Sequence, residues 1–145
     1  MSFLLDTNVV SEARRPAGHP GVRAWLGSVP AADLFVSVLV VGELHRGVEQ
    51  LRRRDAPQAA ALEAWLLRLV ADYRDRVLPV TAAVADEWGR LNAPDPLPVV
   101  DGLLAATARV HGLVLVTRNT ADFARTGVRL LNPFDGGRQH PTRSG

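Results

Sequence analysis

The chain has no cysteine and no lysine. The first absence excludes disulfide scaffolds, thiolate metal sites and thiol nucleophiles together, and it suits a reducing compartment. The second excludes Schiff-base, P-loop and nucleophilic lysines. All 17 basic residues are arginine, so any recognition of an anion must use planar, permanently charged guanidinium groups, which match phosphate well. A GC-rich genome explains an arginine bias as readily as function does, but the chemical restriction holds whatever its origin. Long apolar runs are also missing, every one falling far short of the roughly 20 residues that a membrane helix needs. No basic leader with an apolar core opens the sequence, because Asp6 interrupts the one candidate. A cytoplasmic protein without membrane association is expected. The net charge of +2 is too small to argue for nucleic-acid binding by itself.

What remains is an ordinary globular composition. At 145 residues, 47% hydrophobic and 22% charged, the chain is long enough for one domain with a substantial core. That domain is expected over residues 1–135. The closing "GGRQHPTRSG", residues 136–145, has no apolar pattern and reads as a loose tail. Short, largely continuous apolar runs occur at 3–5, 34–38, 77–80, 113–117 and 128–131. Such runs predict strands buried on both faces, as in a parallel sheet. Between them, segments 40–54, 59–73, 82–91 and 100–112 carry apolar residues at helical spacing. Gly112 stands where a helix C-cap glycine is expected. The alternation predicts a three-layer α/β/α sandwich around a mostly parallel, five-stranded central sheet. "NAPDPLP" (92–98), with three prolines in seven residues, is a loop.

In such sheets, ligands bind beyond the carboxyl ends of the strands. Asp6 closes the first apolar run in "FLLDTNVVSE". Glu43 is expected in the first turn of the helix after the second strand, and Asp101 in the first turn of the helix after the proline loop. Asn119 and Asp122 follow the fourth strand in "TRNTADF". Each has a local explanation: Asp6 as a helix cap, Glu43 and Asp101 as dipole partners, Asn119 and Asp122 as turn formers. None of these explains why all of them fall at one edge of the sheet. Clustered carboxylates repel and raise one another's pKa values unless a cation is present. Oxygen ligands without Cys or a convincing His pair favour Mg²⁺ or Mn²⁺ over Zn²⁺. His45 and His111 are read as surface or packing residues, and Trp25, Trp65 and Trp88, within helical apolar stripes, as packing or docking residues.

The segments "LLDTNVVSE", "GELHRGV", "VVDGLLAATARVHGLVLVTRNTADF" and "LLNPF" together resemble PIN-domain ribonucleases, specifically VapC-type toxins of toxin–antitoxin pairs on the FitB-like branch. The resemblance runs from Phe3 to Phe134. It implies Mg²⁺-dependent cleavage of RNA, a homodimer, inhibition by a small VapB-type antitoxin, and contact with operator DNA only through that antitoxin. Carried over by position, it implies metal ligation by Asp6, Glu43 and Asp101, with Asn119 or Asp122 supplying the fourth catalytic position. Asn119 brings a carbonyl but no charge, which leaves a catalytically impaired binding module as the alternative to an active nuclease. Arg118, Arg14 and Arg15 flank these positions and are candidate phosphate readers. Two other folds with an aspartate after their first strand, receiver-like phosphoacceptors and haloacid-dehalogenase-type phosphatases, each use a lysine that this chain lacks. The phosphatase also calls for an acid where Asn8 stands.

Overall fold

A computed structural model describes residues 1–135 and 138–140. Five strands run parallel: β1 (Phe3–Leu5), β2 (Leu34–Ser37), β3 (Val77–Leu78), β4 (Val114–Val116) and β5 (Leu130–Asn132). Their order across the sheet is β3-β2-β1-β4-β5. A sixth strand, β6 (Arg138–His140), pairs antiparallel with β5 at the edge. The expected tail over 136–145 otherwise lies outside the described residues.

The helices fill the crossovers. α1 (Thr7–Arg14) and α2 (Pro20–Ser28) connect β1 to β2, and α3 (Val38–Arg52) and α4 (Ala56–Tyr73) connect β2 to β3. α5 (Ala82–Asn92) and α6 (Val99–His111) connect β3 to β4, and the short α7 (Thr120–Phe123) precedes β5. From β1 to β3 the chain steps one way across the sheet; from β3 it returns past β1 and continues to β5. With right-handed crossovers, this reversal puts α1–α4 on one face and α5–α7 on the other. The layers pack accordingly, α3 against α4 and α5 against α6.

Central β1 and β4 form the floor of the core. Leu4, Leu5, Val114, Leu115 and Val116 are all buried, which is why these runs are continuously apolar rather than alternating. Leu5 pairs with Val116, so the residues that follow, Asp6 and Thr117, emerge side by side at the carboxyl edge.

Helix boundaries follow from side-chain caps. Asp6, Ser37, Asp55 and Thr81 accept hydrogen bonds from the first-turn amides of α1, α3, α4 and α5. Gly112 ends α6 at a positive φ of 64° that disfavours any side chain. Besides β6, which forms within the expected tail, two helices differ from the sequence reading. The sequence reading puts Trp25 in a helical apolar stripe but assigns no helix over 20–28; α2 forms there, with His19 accepting from Gly21 N–H and Pro20 opening the first turn. Its Trp25 stands edge-on to Phe3 at 5.0 Å. The Ser37 cap starts α3 at Val38, so Glu43 lies in the second turn and not the first. No described helix is long and apolar enough to cross a membrane.

The α5–α6 seam closes on Gly102. A Cβ there would stand 2.8 Å from Asn92 Nδ2 and 3.0 Å from the Trp88 ring. Asn92 cannot simply swing away, because its amide donates to Trp88 O at 2.8 Å and accepts from Leu97 N–H at 2.8 Å. Gly102→Ala should therefore cost about 1–2 kcal/mol in denaturant unfolding, overpacking outweighing the helix-propensity gain of alanine. A neutral or stabilising result would show that the seam has slack.

Candidate active site

Asp6 both caps α1 and stands at the centre of the acidic edge. Its Oδ1 accepts from Thr7 N–H at 2.7 Å and its Oδ2 from the Thr117 hydroxyl at 2.8 Å. Its own N–H donates to Val116 O at 2.9 Å. The residue is only 7% exposed. Burial pushes its carboxyl above the usual aspartate range, further raised by the charge of Glu43 and opposed by the bonds from Thr117 and Thr7.

The other acids approach from both helix layers. Glu43, exposed on α3, accepts from the Thr7 hydroxyl at 2.6 Å, so Thr7 touches Asp6 with its amide and Glu43 with its side chain. Asp101, half-buried in the first turn of α6, has its carboxyl pushed up by burial and then by the charges of Asp6, Asp122 and Glu43. Asp122, exposed on α7, lines a cleft of about 470 Å³ with Asp101, Leu97, Pro98 and Ala121. Asn119 occupies the cap position of α7, but its carboxamide makes no capping bond. Its N–H donates to Thr117 Oγ1 at 3.1 Å and its carbonyl accepts from Asp122 N–H at 3.0 Å. All five positions singled out in the sequence thus lie along one edge, Asp101 within electrostatic reach of the other three acids.

Among the described residues, none of Asp6, Glu43, Asp101 and Asp122 forms an ion pair. Hard oxygen donors, raised carboxyl pKa values and no protein counter-charge fit a hard divalent cation. Asp6 keeps acceptor capacity beyond its two protein bonds, since a carboxylate offers about four lone-pair sites. The tightest group of possible ligands is elsewhere: His45, Glu49 and Glu63, on α3 and α4, bring ligand atoms within 4.8 Å of one another. Arg52 bonds both glutamates, at 3.2 and 2.9 Å, so that group already has its cation. The looser spacing around Asp6 suits an ion that retains several waters.

Three participants were not singled out in the sequence: Thr7, Thr117 and the amide of Asn8, whose Oδ1 accepts from Arg118 N–H at 3.2 Å. Thr117 carried a signal. Like Asp6, it is a polar residue closing an apolar run, and it is fully buried. On the α1–α4 side a groove of about 260 Å³ runs beside the cluster, lined by Glu43, Thr7, Arg14, Arg15, Leu62 and Trp65 among others.

Comparison with known proteins finds relatives over most of the chain. The PIN-domain family model matches residues 3–128. The toxin FitB of Neisseria gonorrhoeae is 35% identical over 139 residues, covering 91% of this chain and 98% of that protein. The VapC ribonuclease Y4jK of Sinorhizobium fredii is 31% identical over 141 residues, covering 92% and 98%. Among solved structures, FitAB bound to an IR36 DNA fragment superimposes with a TM-score of 0.84 at 29% identity, covering 99% of both chains.

The raised carboxyl pKa values give the fold a pH signature. Asp6 and Asp101 hold protons more tightly folded than unfolded, so metal-free folding takes up protons just above the ordinary aspartate value of 3.8. Stability should fall as pH rises from there through the raised values. Thermal melts in EDTA should show this decline, and Asp101→Asn should lessen it and raise the midpoint at neutral pH. An unchanged profile in Asp101→Asn would mean that the carboxylates are not electrostatically frustrated.

Proposed function

The chain belongs to the PIN-domain family, and from that premise we propose that it is a divalent-metal-dependent endoribonuclease, the toxin of a toxin–antitoxin pair. The observation that carries the reading is the group of four carboxylates, drawn from both helix layers, without a protein cation among them. Asp6 and Asp101, with Glu43 directly or through water, would hold Mg²⁺ or Mn²⁺; Asn119 and Asp122 complete the edge towards the cleft. Such an ion supplies a more acidic bound water and neutralises charge building on the phosphate.

The chain's own residues do the rest. Thr117 and Thr7 hold both oxygens of Asp6, fixing its orientation and opposing the effect of burial. Thr7 also fixes Glu43. Asp101 and Asp122 face the cleft into which a single strand of RNA would enter. The raised carboxyl pKa values mean that cation affinity grows with pH as these groups deprotonate. The groove lined by Glu43, Arg14, Leu62 and Trp65 is the proposed seat of an antitoxin segment, since its apolar floor ends at the acid cluster. Homodimerisation, as the family resemblance implies, belongs to the same reading.

Asp6→Asn or Asp101→Asn should lower RNA cleavage by roughly 100-fold or more, the scale of removing a charged group aimed at the transition state, with the circular-dichroism spectrum unchanged. EDTA should abolish cleavage and Mg²⁺ or Mn²⁺ restore it; cleavage unaffected by EDTA would exclude the metal mechanism. A purified chain that binds antitoxin yet cuts no RNA under any metal would favour the impaired module. Trp65→Ala should weaken antitoxin binding about tenfold or more, as loss of a buried aromatic anchor does, and leave cleavage within about twofold of wild type.

A further inference from the structure

Six of the described arginines are engaged within the protein. Arg52, Arg90, Arg109 and Arg125 pair with carboxylates, and Arg23 and Arg76 donate to backbone carbonyls. Arg118 is different. Its backbone is clamped on both sides, the N–H by Asn8 Oδ1 at 3.2 Å and the carbonyl by Asn132 Nδ2 at 3.3 Å. Its guanidinium lies 4.1 Å above the Phe134 ring and makes no hydrogen bond or ion pair among the described residues. Phe134 is fixed in turn, because Asn132 Oδ1 accepts its N–H at 2.9 Å and the His19 ring lies against it at 5.1 Å. One buried carboxamide therefore sets both partners of the stack.

An arginine kept for stability is usually given a carboxylate or a carbonyl. This one is given rigidity, while its in-plane donors stay open. Stacking engages the face of a guanidinium and leaves its edge for a bidentate oxyanion. It also limits the side-chain freedom lost on binding. The position matters as much as the group. Arg118 lies between Thr117, which holds Asp6, and Asn119, and its stack leans towards α2 on the α1–α4 face. The cleft of Asp101 and Asp122 belongs to the opposite face. Four carboxylates repel a polyanion, so a strand crossing this edge needs a fixed positive charge beside the cluster.

We propose that Arg118, stacked on Phe134, is a phosphate-binding subsite for the RNA backbone, gripping a phosphate next to the scissile one on the α2 side of the acid cluster. The inference rests on the ribonuclease reading and adds a direction to it: the strand enters by the Asp101–Asp122 cleft, crosses Asp6 and leaves over Arg118.

Steady-state cleavage of a fluorescent single-stranded RNA by the full chain with Mg²⁺, at several salt concentrations, tests it. In Arg118→Ala, KM should rise about tenfold, as expected for losing a hydrogen-bonded ion pair, with kcat within about twofold. The slope of log KM against log salt should fall by roughly 0.7, one phosphate contact on a single strand. Arg118→Lys should restore the salt slope but only part of KM, and Phe134→Leu should fall between wild type and Arg118→Ala. An unchanged KM, or a loss confined to kcat or thermal midpoint with the salt slope intact, overturns the subsite. So does an Arg118→Ala variant that handles RNA normally but loses an acidic antitoxin segment. If the wild-type chain cuts no RNA, the ribonuclease reading itself fails; if it cuts RNA and Arg118→Ala matches it, only the subsite fails.

Discussion

The carboxyl of Asp6 is taken almost wholly out of water at the end of the central strand, and the site is arranged around that desolvation. Burial disfavours the charged form, and Glu43 adds to the penalty. Only the Thr7 amide and the Thr117 hydroxyl oppose them. A fold selected for stability alone would neutralise such a group with one of its many arginines or replace it with an apolar side chain. Here the acids are left facing one another, so the metal-free protein carries an electrostatic deficit that a bound divalent cation would remove. Cation binding, as proposed, would be linked to folding stability through that deficit.

The topology concentrates the charge. The chain leaves β1 in one direction to reach β2 and returns past it to reach β4, making the end of β1 the switch point of the sheet. Residues from both crossover directions arrive there, Glu43 from the α1–α4 layer and Asp101 and Asp122 from the other. The β1–β4 register sets Asp6 beside Thr117. No local capping preference could produce this convergence, and of the four acids only Asp6 caps a helix.

Much of this was legible in the sequence, for identifiable reasons. Strands buried on both faces leave continuous apolar runs, and a carboxylate closing such a run is conspicuous, which exposed Asp6 without any coordinates. The four ordered motifs that carried the family resemblance all lie within or close to the stretch matched by the PIN-domain model. Thr117 was not read, because its role is defined by a contact across 111 positions of chain, and a buried hydroxyl looks like any strand threonine. Glu43 was placed one turn early because the Ser37 cap starts α3 within an apolar stretch where periodicity shows no boundary. α2 was not assigned, although Trp25 was read in a helical stripe, because nine residues containing two glycines give that stripe little length; Trp25 against Phe3 and the His19 cap hold it. The strand β6 could not be anticipated from a polar segment whose pairing depends on the neighbouring edge of β5.

The acids are mounted on two layers of helix with the sheet between them. Glu43 sits on one lip, Asp101 and Asp122 on the other, and Asp6 marks the hinge line. A molecule seated in the groove beside Glu43, as proposed for an antitoxin segment, would meet one lip and not the other. Displacing Glu43 and Thr7 there would remove one proposed ligand and one bond to Asp6. On the proposed reading, inhibition is a one-sided grip that leaves the Asp101–Asp122 cleft on the far side uncovered.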